Sequence, residues 1–359
     1  MRTSLFNYPL PECLIAQHPA EKRGTEKMMV LHRDTGVVEH RHIADIVEYL
    51  TSDDLIVVND TKVFPARLIG KWSDSEGAVE ILMVSAAPEA ESAKADVWNC
   101  IVGSGRKCRE GQIAEFGPNK ELKAKFIAPL SGIGMWKIEF VCERPLMELL
   151  DEFGHTPVPP YVKREGTREE EIQDRERYQT IYAREVGSVA APTAGLHFTP
   201  EIFDSLEKKG VKRVAVTLHV GPGTFRPVKA DNIEDHQMDF EAFTISPEAA
   251  EAINECKKRG GRIVCVGSTT VRTLETVAAR EPDGGDLIVP GSGASNIFIY
   301  PPYDFKVCDV MLTNFHLPQS TLLMMISALA GRMRVLCAYA LAVRANYKFF
   351  SYGDCMLIV

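Results

Sequence analysis

Residues 188 to 228 read SVAAPTAGLHFTPEIFDSLEKKGVKRVAVTLHVGPGTFRPV, a loop, a helix and a strand in succession. The loop, Ala190 to His197, is small and turn-prone and carries Thr193, Gly195 and His197. Thr199 predicts an N-cap, Pro200 the first helical position and Glu201 the first turn. Ile202, Phe203 and Leu206 make an apolar stripe. Lys208 and Lys209 suit the negative helix end, and Gly210 stops it. Val211 to Val220 predicts a strand that delivers His219 into a second loop, Gly221-Pro222-Gly223-Thr224. Each loop sets a histidine beside glycines and a threonine. Histidine moves protons near neutral pH. Glycine lets a ligand approach the backbone and its N–H groups. The residues alone leave open a second reading, in which each histidine is packed or caps a helix.

Working outward, other apolar runs also end in polar residues. Leu55 to Val58 reads as a buried strand and stops at Asn59-Asp60-Thr61-Lys62. Arg262 to Val266 is followed by Gly267-Ser268-Thr269-Thr270, with Thr270 expected to cap a helix from Val271 to Ala279. Such a strand end suits an anionic or hydroxyl-rich ligand, or simply caps the helix. No Walker loop and no GxGxxG occurs. Val310 to Leu312 runs into Thr313-Asn314-Phe315-His316. The ends at Asn59, His219, Gly267 and Asn314 are expected to meet on one sheet edge, where open α/β sheets bind ligands.

Between Ala66 and Phe140 the texture changes to six short alternating segments separated by turns. This predicts a small antiparallel β-barrel inserted into a mixed α/β main domain. The expected boundaries are 1–62 for the first part of the main domain, 63–145 for the barrel and 146–359 for the second part. Arg106, Lys107 and Arg109 cluster in the barrel, with Lys71 and Trp72 elsewhere in it. A barrel of this kind can hold a nucleic-acid strand by phosphate contacts and stacking, unless these are ordinary surface charges. Further on, Pro145 to Phe153 and Ser246 to Lys258 read as helices and Asn296 to Tyr300 as a strand. Ser320 opens a long helix to about Tyr347, and Cys355 to Val359 forms a last strand.

The chain has 359 residues, long enough for two domains, with 45% apolar and 25% charged residues, as in ordinary soluble proteins. A net charge of −8 excludes a general nucleic-acid binder but not a local basic patch. Nine cysteines occur with neither a CxxC pair nor zinc spacing, which fits a reduced cytosolic protein with buried thiols. MRTSLFNYPLPECLIAQ has no signal-peptide core, and the apolar run Leu322 to Ala330 is too short for a bilayer. A cytoplasmic protein with no membrane partner is expected.

Nine blocks then carry a resemblance. They are LIAQHP (14–19), VVNDTKVFPARL (57–68), PVPPYV (157–162), ERYQTIYAREVGSVAAPTAGLHFT (176–199), VTLHVGPGTFRPV (216–228), GSTTVRTLE (267–275), IFIYPPY (297–303), TNFHLPQSTLL (313–323) and FSYGDCMLI (350–358). In order and over nearly the whole chain, the sequence resembles the S-adenosylmethionine:tRNA ribosyltransferase-isomerases of queuosine biosynthesis. The resemblance implies an α/β domain with an inserted barrel. It implies transfer of the ribosyl part of S-adenosylmethionine to 7-aminomethyl-7-deazaguanine at the wobble position of a tRNA with a GUN anticodon. Adenine and methionine leave, epoxyqueuosine results, the donor is consumed and no metal is needed; apart from the resemblance, a monomer is expected.

That reaction needs a base near the acidic C5′ protons beside the sulfonium, a proton donor for adenine and help in opening the ribose. His197, His219 and His316 are the candidate proton carriers, with Asp60 orienting one of them or binding ribose hydroxyls. Gly267, Ser268, Thr269, Thr270 and Arg272 are expected to hold the methionine carboxylate or ribose. Gly221, Gly223 and Thr224 are expected to hold the nucleoside, and Thr193 and Gly195 to join the donor site. Lys62, Arg67, Arg106 and Lys107 are expected to contact RNA, the barrel gripping the anticodon stem. Two positions depart from the family pattern: HxMHxE reads His236-Gln237-Met238-Asp239-Phe240-Glu241, and GWT reads Gly293-Ala294-Ser295. Ordinary methyl transfer is a competing reading, but the strand–glycine signature of a Rossmann methyltransferase is absent. A non-enzymatic RNA-binding module is another, and it has little use for so many polar strand ends.

Overall fold

The apolar run at residues 55–59 becomes a strand buried along its whole length, with the main sheet built on both sides of it. The computed structural model describes residues 1–87, 96–221, 223, 228–279 and 287–359. A hairpin comes first, β1 (Lys27–Leu31) and β2 (Val38–His42), followed by the short helix α1 (Ile46–Tyr49). The central strand is β3 (Leu55–Asn59), and β4 (Thr61–Val63) leaves it. Six strands follow: β5 (Arg67–Trp72), β6 (Ala78–Ala86), β7 (Asp96–Ser104), β8 (Ile113–Phe116), β9 (Leu122–Pro129) and β10 (Met135–Val141). Next come α2 (Leu146–Phe153), α3 (Arg168–Arg177), β11 (Glu185–Ser188), α4 (Pro200–Lys208) and β12 (Lys212–Leu218). The remainder is β13 (Glu241–Ile245), α5 (Pro247–Lys258), β14 (Ile263–Val266), α6 (Ser268–Ala278), β15 (Gly291–Ser295), β16 (Val310–Asn314), α7 (Thr321–Ala330), α8 (Arg332–Arg344) and β17 (Cys355–Ile358).

The main sheet has the order β15-β13-β12-β3-β14-β16-β17-β1-β2. Its middle four strands, β12, β3, β14 and β16, are parallel to one another. Their carboxyl ends therefore lie on one edge. β3 precedes both of its neighbours in sequence, so the chain turns to opposite sides there, which is a topological switch point. Alternate side chains enter two cores. Leu55, Val57, Cys265 and Met311 pack with residues of α5 to α8, while Ile56, Val58, Val264 and Leu312 pack with Ile202 and Leu206 of α4. Covered on both faces, β3, β14 and β16 need the unbroken apolar runs seen in the sequence. Helix α4 begins as its sequence requires, with the Thr199 hydroxyl accepting from the Ile202 N–H at 3.4 Å.

The six segments of changed texture close into one barrel, β10-β7-β6-β5-β8-β9, entirely antiparallel. Its interior holds Leu68, Trp72, Ile81, Phe116 and Phe126, and Leu146 and Leu150 of α2 pack against it. Trp72 is thus a core residue, not a stacking platform for a base.

Three sequence expectations change. Residues 296–300 form no strand; the pairing partner of β13 is β15, five residues earlier. The small side chains of β15 suit that close pairing, whereas Ile299 is buried with Phe298 and Tyr300 packed against the same core. The long helix after Ser320 is two helices bent by 115° at Gly331, which adopts φ 86°. A residue without Cβ reaches that angle without strain. Finally, α6 starts at Ser268, because Gly267 at φ 85° turns the chain there. Thr270 lies inside the helix, its hydroxyl donating to the Val266 carbonyl at 2.8 Å, and caps nothing.

Candidate active site

The aligned carboxyl ends of the parallel strands open into a cleft. The segment Thr193–His197, a 3₁₀ turn, forms one wall and carries Thr193. Gly267, Ser268 and Thr269 form a second, where the first-turn N–H groups of α6 have no partner within the helix. Thr313, Asn314 and His316 form a third. Val220, Phe315, Leu317, Leu322 and Phe350 make the apolar surface, and Tyr161 is bonded to the Ser351 hydroxyl at 2.5 Å. Among the described residues, no Asp, Glu, Lys or Arg lines this cleft. Its polarity comes from hydroxyls, amides, one imidazole and a helix N-terminus, a combination suited to a ligand with an anionic end and an apolar body.

Two buried asparagines brace the edge. Asn59 ties β3 to its neighbours: its amide nitrogen donates to the Leu218 carbonyl at 2.9 Å and to Thr269 Oγ1 at 3.2 Å. Its oxygen accepts from the N–H groups of Leu218 at 3.0 Å and Thr61 at 3.2 Å. Asn314 donates to the Phe350 carbonyl at 2.9 Å and to His197 Nε2 at 3.2 Å. The Asn314 side-chain oxygen is buried without a partner. Each directly ends an apolar strand, and the sequence marks both as ends on the ligand edge without assigning either a role.

The three histidines do not share one space. His316 lines the cleft; its Nε2 is bonded to Thr313 Oγ1 at 2.8 Å and its N–H to the Tyr339 hydroxyl at 3.0 Å. Burial lowers its pKa to about 3, so the ring is neutral at ordinary pH. His197 is 2% exposed and lies behind the cleft wall, in a small cavity with Arg23, Glu26, Arg177 and Tyr352. Its Nδ1 stands 3.9 Å from the Glu26 carboxylate, too far for a hydrogen bond. Burial acts to raise the Glu26 pKa, but the His197 ring and backbone N–H groups outweigh it and the net shift is downward. His219 turns toward β4 and β11, with Nδ1 bonded to Thr61 Oγ1 at 2.8 Å. Burial, opposed by Glu185 and Asp60, lowers its pKa. The ring fits because Gly187 has no side chain; a Cβ there would stand 2.8 Å from it.

Asp60 also faces away from the cleft. It accepts from the Thr217 hydroxyl at 2.7 Å and pairs with Arg184 at 2.9 Å. Gly195 is a packing glycine, its place for a Cβ filled by the Tyr182 hydroxyl. Thr270 is fully buried in α6. Arg272 is committed to a buried ion pair with Glu241, which also accepts the Gly221 N–H at 3.0 Å. Gly223 and Arg272 belong to a second, open cleft with Lys229, Asp239 and, across from them, Ile133 of the barrel. Thr224 lies outside the described residues. Thus Thr193, Gly267, Ser268, Thr269 and His316 come together, while Arg272, Gly221 and Gly223 stand elsewhere.

The departures fall near that second cleft. Asp239 occupies the space a Cβ on Gly223 would need, and Ala294 pairs with Ala242 across β15 and β13. Of the expected RNA contacts, Lys62 and Lys107 are exposed. Arg67 is engaged by Glu80 through bonds of 2.8 and 3.1 Å. Arg106 lies over the Trp72 ring at 4.3 Å and bonds Asp74 at 2.7 Å. Among the described residues no group of three or more His, Cys, Asp or Glu is placed to hold a metal ion, and no single helix is long and apolar enough to cross a membrane.

Comparison with known proteins gives one consistent result. Residues 3–358 match the family described as queuosine biosynthesis protein. The chain is 45% identical to the S-adenosylmethionine:tRNA ribosyltransferase-isomerase of Desulforamulus reducens over 359 residues, covering 100% of both proteins. It is similar to the crystal structure of an S-adenosylmethionine tRNA ribosyltransferase from Thermotoga maritima, with 35% identity, a TM-score of 0.54 and coverage of 99% of this chain and 100% of that one. This chain belongs to the queuosine biosynthesis protein family.

Proposed function

We propose that the chain is an S-adenosylmethionine-dependent tRNA ribosyltransferase-isomerase. It moves the ribosyl part of S-adenosylmethionine onto the amine of 7-aminomethyl-7-deazaguanine at the wobble position of a tRNA with a GUN anticodon. The product is epoxyqueuosine, with release of adenine and methionine. The observation that carries this reading is the full-length 45% identity to a protein bearing that name. The enzyme works in the cytoplasm as a monomer and without a metal, and the barrel, residues 63–145, is its RNA-facing insertion between the two parts of the main domain.

The cleft supplies a chemically suitable donor site. The first-turn N–H groups of α6, with Ser268 and Thr269, receive the methionine carboxylate. Val220, Phe315 and Phe350 flank the apolar portions and keep water out, and Thr193 offers a hydroxyl to the ribose. His316 is the cleft histidine. Its ring is neutral, and in the tautomer whose Nε2–H donates to Thr313 Oγ1 the second ring nitrogen is the proton acceptor, a weak base because burial lowers its pKa to about 3. With no cationic side chain among the described residues of the lining, the positive sulfonium meets no like charge from them. His219 and Asp60 serve the strand ends next to the cleft instead of its interior.

The test is incubation with S-adenosylmethionine and tRNA carrying the aminomethyl-deazaguanine, with small products separated. Adenine and methionine released in equal amounts, only with that tRNA, support the proposal. S-adenosylhomocysteine would make the enzyme a methyltransferase. His316→Ala is expected to lower turnover by roughly 100-fold or more; an unchanged rate removes His316 from the chemistry.

A further inference from the structure

We infer that Asn314 is a fixed hydrogen-bond acceptor in the cleft, locked in orientation by the Phe350 carbonyl and His197, and that it receives the α-ammonium of the methionine moiety. The assignment rests on the function proposed above and names a specificity residue within it.

The orientation follows from donor and acceptor chemistry. An amide side chain has one end that only donates and one that only accepts. The Phe350 carbonyl can only accept, so the Asn314 atom 2.9 Å from it is the NH₂ group. The same NH₂ lies 3.2 Å from His197 Nε2. An amide nitrogen accepts no hydrogen bond, so Nε2 is the acceptor and neutral His197 carries its proton on Nδ1. Nδ1 makes no hydrogen bond, and the Glu26 carboxylate 3.9 Å away favours this tautomer by electrostatic attraction alone. His197, in the rear cavity, and Asn314, at the cleft, are thus joined by one hydrogen bond of fixed direction. Both N–H bonds of Asn314 are committed, and its oxygen is left over.

That oxygen is the group a ligand must satisfy. Asn314 is 3% exposed and lines the cleft. Among the described residues of the lining, its oxygen is the buried side-chain atom without a partner. A buried acceptor left unmatched is costly, so a ligand presenting a donor there is strongly selected. The choice of ammonium comes from the neighbours. β16, which ends in Asn314, pairs directly with β14, which leads through Gly267 into α6. A carboxylate at the N-terminus of α6 therefore lies next to this acceptor. The carboxylate and ammonium of an α-amino acid share one carbon and need such an adjacent pair of donor and acceptor. Among the described residues, no carboxylate side chain lines the cleft to take the ammonium instead. His197, read from the sequence as a proton carrier, becomes a positioning residue acting through Asn314.

The test compares S-adenosylmethionine with its analogue lacking only the α-amino group, by equilibrium binding. Wild-type protein is expected to prefer the amine-bearing ligand by roughly 10- to 100-fold, the range for a hydrogen bond to a charged group. In Asn314→Ala the preference should vanish. His197→Leu should weaken it and raise KM more than it lowers kcat. His197→Gln, whose amide oxygen can accept from Asn314, should restore it. Circular dichroism separates these effects from misfolding, and the wild-type comparison needs no substitution. Equal binding of both ligands by wild-type protein, or a full preference surviving in folded Asn314→Ala, overturns the assignment while leaving the proposed function standing. Failure of folded wild-type protein to bind either ligand overturns both. A preference identical in His197→Leu and wild type overturns the positioning role.

Discussion

The parallel centre of the main sheet and the antiparallel barrel use their polar residues in opposite ways. At the sheet edge, four strands end side by side, and β14 leads directly into a helix start. Asn59, Thr269, Thr313 and Asn314 are consequently buried together, and one polar atom, the Asn314 oxygen, remains available. In the barrel, the antiparallel strands turn back at both rims, and the polar side chains bond to one another. Arg67 engages Glu80, Arg106 engages Asp74, and Lys120 engages Glu115. Parallel register collects strand ends, with their unpaired groups, at one place; antiparallel register divides them between two rims. Reactive geometry accumulates at the first and a stable platform at the second.

The largest effect expected on this contrast comes from the edge of the main sheet. Glu241→Ala leaves Arg272 buried and unpaired, and breaking a buried pair from one side costs about 3–5 kcal/mol. Urea unfolding measures it, and a loss below about 1 kcal/mol would mean that water reaches the guanidinium. The barrel should resist less specific damage but not overpacking. In Gly70→Ala the new methyl group meets the Glu115 backbone carbonyl and the Phe116 ring. A cost of about 1–3 kcal/mol is expected, and an unchanged unfolding midpoint would show that β5 and β8 can separate freely.

Acid sharpens the comparison, because the cleft holds a buried neutral imidazole. The folded pKa of His316 is lowered by burial from 6.5 to about 3. Between those values the unfolded chain binds more protons, so His316 makes stability rise with pH across this window and fall as pH drops below 6.5. The slope from this one group approaches about 1.4 kcal/mol per pH unit. His316→Asn should flatten that limb in urea unfolding measured between pH 4 and 7; an identical slope would assign the acid sensitivity to other groups. The smallest effect is on the barrel surface. Lys107→Ala should change stability by less than about 0.5 kcal/mol. If Lys107 meets a phosphate, the same change lowers the salt slope of tRNA binding by about 1; an unchanged slope removes it from the RNA contact.

Much of this could be read from local pattern. Continuous apolar runs identified β3, β14 and β16, alternation identified all six barrel strands, and Thr199-Pro200 placed the start of α4 where the fold has it. Each of these depends on periodicity or on one residue's backbone chemistry, which neighbouring positions report directly. The errors came where those signals mislead. An apolar run such as residues 296–300 can be buried without strand pairing, and the glycines at 267 and 331 redirect helices that composition alone would place differently.

By itself, the sequence determined that polar residues stand at the ends of buried strands and that a barrel interrupts the α/β pattern, and it offered three histidines as candidates. The resemblance pointed to the reaction. Tertiary structure alone decided which of those residues face the same space. It brought Thr193, Gly267, Ser268, Thr269 and His316 to one cleft, set His197 behind Asn314, turned His219 and Asp60 toward β11, and closed Arg272 onto Glu241. The physical reason is that side-chain direction near a strand end depends on register with neighbouring strands and on partners distant in sequence. His197 and Asn314 are 117 residues apart, and no local pattern carries information about that meeting.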